Sequence, residues 1–463
     1  MDAIKKFFKL EERNTTISRE LMGGLITFLA MVYVLPVNAG MLAHPLTGMS
    51  FGAVFAATAL SAAIASIIMG LYANAPVGLA SGMGVNAFFT WTVVVGLQFT
   101  WQEALAAVLI SGILFLVLSL TKVRAQIINA IPKDLKLAIG AGIGFFIAFL
   151  GFKNAGVVVG DPNTFVTLGD ISQPTVLLGL FGIILIFVLF AIGKKIGRFA
   201  MIISIVGTGV LGLLLGVIFP GLTDLMPSIG GSNLGSIGDL GQTFGQAFVA
   251  IPSLLARPEA YAVIFTFLFV DFFDTAGTLV AVGHDAGLLD KEGQLINGNQ
   301  AFMADAVGTV AGAILGTSTV TSYIESGTGI KAGARTGLAA VTVGVLFIVS
   351  LLFFPLFSIV DAIFVEGVPY SPVTAMALVF VGALMVNSLK ELNWKDDISV
   401  ASAFITIITM VLSFSIAEGI AFGFIFYVAM KLFTKQRKEL SWIMIGLAAL
   451  FILNFVIKFV VLG

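Results

Sequence analysis

The sequence predicts an all-α polytopic membrane protein of about 14 transmembrane segments, built as seven plus seven inverted repeats. Three observations carry this. Apolar residues make up 59% of the 463 residues and charged residues 11%, with a mean hydropathy of +1.08. Soluble domains carry about 25% charge. Lys and Arg gather in the connections that one membrane side would hold. A Gly-rich break, SGMGVNA at 81–87, returns as SGTGIKA at 326–332, an offset of 326 − 81, or 245 residues.

A helix needs about 20 apolar residues to cross the bilayer. The candidate runs are 21–43, 51–72, 83–98, 102–120, 135–152, 175–193, 199–219, 260–283, 300–316, 327–333 continuing into 336–360, 373–388, 398–413, 416–434 and 441–462. The leader holds Lys5, Lys6, Lys9, Arg13 and Arg19. Later clusters are Lys122, Arg124, Lys133 and Lys136; Lys194, Lys195 and Arg198; Lys390 and Lys395; and Lys431, Lys435, Arg437 and Lys438. All fall on one side if the N-terminus is cytoplasmic. The loop 220–256 is Gly/Ser-rich, has no Lys or Arg, and then lies outside. Seven spans precede it, an odd number, so the second half enters upside down. Shifting by 245 also lays the first span over 266–288, mostly the eighth. The runs 398–413 and 416–434 leave and return to the cytoplasm, and 441–462 is either a further crossing or an interfacial segment. No cleavable leader is expected, because a charged stretch precedes a run long enough to span.

Zero Cys excludes disulfides and thiolate chemistry. Two His, His44 and His284, leave little for a metal site, and the net charge of −1 points to no nucleic-acid partner. No metal and no cofactor is expected.

Each break follows an extended-looking stretch, 75–80 with Pro76 and 319–324 with its Thr/Val/Tyr/Ile pattern. Irregular backbone survives at membrane depth only when buried in protein or lining a cavity. Two equivalent segments could satisfy each other. The half-helices after them would turn N–H groups toward the cavity, from Gly82 and Ser326 onward. Glu325 stands where the first copy has Ala80. An acid in the membrane costs roughly 2.5–3.5 kcal/mol on insertion scales, so a functional carboxylate is expected there. Asp271, Asp274 and Thr278 are spaced to share a helix face. Asp305 is expected to position the neighbouring half-helix. Asn38 and Asn86 are uncharged polar candidates, and Phe88 or Phe272 could stack on a flat ligand. Lys331 and Arg335 are expected to face the cytoplasm or pair with an acid.

At these residues the chain resembles a known family. The motifs are SGMGVNAFF at 81–89, NAIPKDLK at 129–136 with AGIG at 141–144, FVDFFDTAGT at 269–278 and TSYIESGTG at 321–329. Together they are similar to the guanine–hypoxanthine–adenine permeases, the AzgA-like branch of the nucleobase:cation symporter-2 (nucleobase–ascorbate) superfamily. Ser81 departs from the family's more frequent Ala-Pro-Gly-Met-Gly break. The resemblance implies a core domain from 21–120 (spans 1–4) and 260–360 (spans 8–11). It implies a gate domain from 121–219 (spans 5–7) and 361–463 (spans 12–14). The segment 1–20 is then cytoplasmic and 220–259 extracellular. It further implies proton-driven uptake of purine bases, guanine or hypoxanthine and also adenine, across the plasma membrane. Asp274 and Glu325 hold the base and serve proton coupling in that reading. Gly82, Ser326, Thr278 and Asn38 complete the substrate site, with Asp271, Asp305 and Asn86 in support. Membrane lipid surrounds the chain, and related carriers pair as homodimers through the gate.

Two other readings meet obstacles in the sequence. An anion carrier of sulfate or bicarbonate type would share the architecture, but two carboxylates repel its cargo. A prenyltransferase reading of Asp271-Phe272-Phe273-Asp274 needs a second acidic cluster for Mg²⁺, and the chain has none.

Overall fold

A computed structural model describes residues 2–121, 132–197, 199–228, 237–288, 296–360, 363–365 and 368–462. Lys122, Arg124, Arg198 and the Asn129–Ile131 part of the quoted connection lie outside these residues.

The first predicted span is two helices, α1 Ile17–Met31 and α2 Val34–Leu42. Pro36 is the reason. It has no N–H to give to the carbonyl of Val32, which instead accepts from Leu35 N at 3.2 Å. Helix α3 Phe51–Ile68 continues as a π turn to Ala73. Strand β1 Leu79–Ser81 leads into α4 Met83–Ala87, which continues as a π-helix to Gly96. Then come α5 Trp101–Leu120, α6 Lys133–Asn154, α7 Pro174–Ile192 and α8 Ala200–Ile218. Local chemistry sets several starts. Ser50 caps α3, and Thr100 with Glu103 forms a capping box on α5.

The second half runs α9 Ala260–Ala286, α10 Gly298–Leu315, strand β2 Val320–Ser322, α11 Ser326–Lys331 and α12 Gly337–Ser350. It ends with α13 Pro372–Met385, α14 Asp397–Leu412, α15 Ile416–Leu432 and α16 Trp442–Leu462. Among the described residues nine helices are long and apolar enough to cross a membrane. The molecule is an all-α polytopic membrane protein, as its sequence predicts. Helices α14 and α15, with 16 and 17 residues, rise about 24–26 Å. That is short of the roughly 30 Å hydrocarbon core.

The helices pack in two groups that interleave along the chain. In one, α5 packs on α9 and α10, α3 on α10 and α12, and α12 on α1. In the other, α13 packs on α6 and α7, α14 on α6 and α15, and α8 on α7. The leader is stitched to the first group. Arg13 donates to the carbonyls of Asn74 and Arg335, both at 2.8 Å. Buried Glu20 accepts from Thr15 Oγ1 at 2.7 Å and from the N–H groups of Arg335 and Thr336. Arg335 itself donates to the carbonyls of Ile330 and Ala334 at 2.6 Å, so it caps the end of α11.

The two breaks meet. β1 and β2 pair antiparallel, with Leu79 opposite Ser322, Ala80 opposite Thr321 and Ser81 opposite Val320. A side-chain hydroxyl from the helix before each strand completes the ladder. Ser66 Oγ accepts from Leu79 N at 2.9 Å and donates to Leu79 O at 3.1 Å. Thr309 Oγ1 stands in the same relation to Val320, at 3.0 and 3.1 Å. The same device thus serves both halves, and no water is needed to satisfy these groups. The strands come so close at Gly82 that a Cβ there would strike Thr321 Cγ2. Gly82→Val should therefore part the strands and cost about 1–3 kcal/mol. A lowered melting temperature of the purified protein, with loss of transport, is the expected result.

Candidate functional site

Asp274 and Glu325 both stand beside the paired breaks, Asp274 through its bond to Thr321 of β2 and Glu325 at the helix start that follows β2. Asp274, on α9, is half-buried, and Thr321 Oγ1 of β2 donates to its Oδ2 at 3.1 Å. Glu325, at the N-terminus of α11, is also half-buried. The hydroxyl of buried Tyr33 donates to its Oε1 at 2.9 Å. Thr278, one turn beyond Asp274, and Thr328, one turn beyond Glu325, are half-buried, while Gly277 and Ile324 are exposed. Both acids are therefore flanked by an accessible face.

The supporting acids lie deeper. Asp305 is fully buried and accepts from Thr275 Oγ1 at 2.8 Å and Ser322 Oγ at 3.0 Å. It ties α9 to β2. Asp271 is 1% exposed, with Oδ2 at 2.9 Å from Thr309 Oγ1 and Oδ1 without a partner. The spacing expected Asp271 and Asp274 on one face. The two lie about 60° apart round the helix, and the neighbours separate them: Asp271 meets Thr309 of α10, while Asp274 meets Thr321 of β2.

The structure gives other expected residues partners within the protein. Gly82 does not offer its N–H to a ligand, because that N–H donates to Thr319 O at 3.0 Å. Ser326 is fully buried, its N–H donates to Tyr323 O and its hydroxyl accepts from Gly78 N at 3.0 Å. Both groups are consumed in satisfying the irregular backbone of the break. Asn38 is fully buried and donates to Thr58 Oγ1 at 2.6 Å and Thr317 Oγ1 at 2.8 Å. No described contact joins it to either acid. Phe88 packs edge-on against Phe267 at 4.9 Å, and Phe272 against Phe115 at 5.7 Å, so both rings belong to the apolar core. Asn86 is fully buried and accepts from Ser81 Oγ at 2.9 Å. Tyr33 and Thr321 were not foreseen. Pro36, three residues after Tyr33, was the available signal for a broken first span.

The two helix groups touch at the C-terminal end of α6, among other places. Lys153 Nζ of α6 lies 3.9 Å from the ring centre of Trp91 and 5.0 Å from that of Phe414. His44, in the turn after α2, packs on Trp91 at 4.7 Å. Burial, with Lys153 adding, pushes the His44 imidazole down to about 4. It is therefore neutral at ordinary pH.

The family model described as the permease family, Xan_ur_permease, matches residues 18–422. The chain belongs to this permease family. The permease is 45% identical over 460 residues to the guanine/hypoxanthine permease PbuG of Bacillus subtilis, covering 98% of this chain and 99% of that one. It is 41% identical over 455 residues to the adenine permease AdeQ of Escherichia coli, covering 98% and 96%. Its fold is similar to the transmembrane domain of the cyanobacterial bicarbonate transporter BicA. There the TM-score is 0.62 at 14% identity, covering 87% of this chain and 97% of the other. The resemblance read from the sequence motifs is borne out, and the permease falls in the nucleobase branch.

Proposed function

We propose that this permease carries purine nucleobases, guanine or hypoxanthine and also adenine, into the cell together with protons. The observation that carries the reading is the pair of carboxylates, Asp274 and Glu325, set on the accessible face beside the paired breaks. A purine base is flat and neutral and presents ring N–H and amino donors at its edge. Two carboxylates can accept from them, whereas they repel an anion. The names of the relatives at 45% and 41% identity support the same substrate class. Fold likeness to a bicarbonate transporter at 14% identity says nothing of cargo. The test is uptake of labelled hypoxanthine against labelled sulfate in cells lacking their own carriers. Purine uptake without sulfate uptake is expected, and the reverse result sinks the reading.

The permease sits in the plasma membrane with a cytoplasmic N-terminus, as the Lys/Arg distribution supports. The accessible face then opens to the cytoplasm and the Lys153–Trp91 contact closes the outer side. Transport proceeds by elevator-like movement of the core domain (21–120 and 260–360) against the gate (121–219 and 361–463), each drawing spans from both inverted seven-span repeats. Because the chain has no Cys, Trp91→Cys with Lys153→Cys gives one addressable pair across that contact. A short bis-maleimide should then stop transport and leave purine binding from the cytoplasmic side intact. Full transport by the cross-linked protein rules the movement out.

A further inference from the structure

Glu325 needs something to aim it. It occupies the N-cap of α11 and its side chain makes no capping bond to that helix; its own N–H lies against the carboxylate, a local contact that does not reach across the site. The backbone around it is held on both sides. Tyr323 donates its hydroxyl to Ser81 O, and Ser326 Oγ takes the N–H of Gly78. With the main chain pinned, the torsions of the Glu325 side chain decide where the carboxylate points. Tyr33 reaches it from the opposite half of the molecule, 2.9 Å from Oε1. Tyr33 is 2% exposed, so its hydroxyl has little access to water as an alternative partner. Its place follows from the interruption at Val32 and Tyr33, where Pro36 breaks the first span. A continuous helix would rotate this ring off its present line.

We propose that Tyr33 is a positioning residue: the hydroxyl it donates to Glu325 holds that carboxylate in the orientation that receives the base. The proposal rests on the purine-permease reading and adds a residue from the first half to a site otherwise built on the second. A hydrogen bond to an ionised group is worth more than a neutral one. Losing it frees Glu325 to turn, and ordering must then be supplied by the substrate, which weakens binding.

The experiment uses the full chain in membrane vesicles and compares the parent, Tyr33→Phe, Glu325→Gln and the double variant for hypoxanthine uptake. Tyr33→Phe keeps the ring and removes the donor. Its KM should rise by about tenfold or more while the maximal rate stays within about twofold. A merely structural role would lower the amount of folded protein and the maximal rate instead. The double variant should be no worse than Glu325→Gln alone, because Tyr33 acts through Glu325. An unchanged KM in Tyr33→Phe, or effects that add in the double variant, overturns the proposal. If Glu325→Gln weakens binding and Tyr33→Phe does not, only the Tyr33 inference falls. A parent protein that takes up no purine overturns the base reading, and this inference with it. Should Tyr33→Phe fail to accumulate, Tyr33→His, which keeps a ring donor, is compared with Tyr33→Leu. The His variant should bind more tightly, and equal KM values overturn the proposal.

Discussion

Asp274→Asn is expected to lose all pH-driven accumulation of hypoxanthine while still equilibrating it across the membrane. A neutral base moves uphill only if an ion moves with it. One-for-one coupling to a gradient of one pH unit supports about tenfold accumulation. In the proton-coupled reading proposed above, Asp274 carries that proton. Its described hydrogen-bond partner is the hydroxyl of Thr321 on β2. That strand is also tied to Asp305 through Ser322. A charge moved through the membrane interior costs several kcal/mol, and one proton shared with Glu325 lowers that cost. Asn keeps the shape and the acceptor oxygen but cannot take up or release the proton. Vesicles with an imposed pH gradient provide the measurement. A variant that still accumulates substrate with the parent's pH dependence removes the proton from Asp274.

Glu325→Gln is expected to act on affinity instead, raising KM by about 10- to 100-fold with less effect on the maximal rate. Its carboxylate receives Tyr33 from one side and faces the accessible region on the other. Gln retains one acceptor but loses the charge that strengthens a bond to a ring N–H. It also brings an amide that clashes with the Tyr33 donor if it points that way. An equal KM for parent and variant would show that the base is read elsewhere.

The two breaks were legible in the sequence because each combines Gly with extended-type residues inside apolar runs. Their mutual pairing was also legible, since backbone polar groups at membrane depth must find partners. The acids Asp274 and Glu325 stood out for a similar reason: a carboxylate in an apolar run is costly unless it has work to do. Hydropathy makes the first span one helix, 21–43, because it is blind to an interruption of two residues. The general behaviour of helix N-termini points the backbone donors of Gly82 and Ser326 at the ligand. In the fold they close the break itself, through Thr319 and through Tyr323 with Gly78.

The sequence by itself determined the class of molecule, the family, the two interrupted elements and the two acids beside them. All of these follow from local composition and order, which set the cost of putting a residue in lipid. Only the tertiary structure decided which polar group meets which. It turned Asn38 into a buried cluster with Thr58 and Thr317, gave Asp305 to Ser322 and Asp274 to Thr321, and brought Tyr33 to Glu325 across 292 positions of chain. The physical reason is that a hydrogen bond is settled within about 3 Å, by helix rotation and crossing. Neither is encoded in the spacing of residues along one segment.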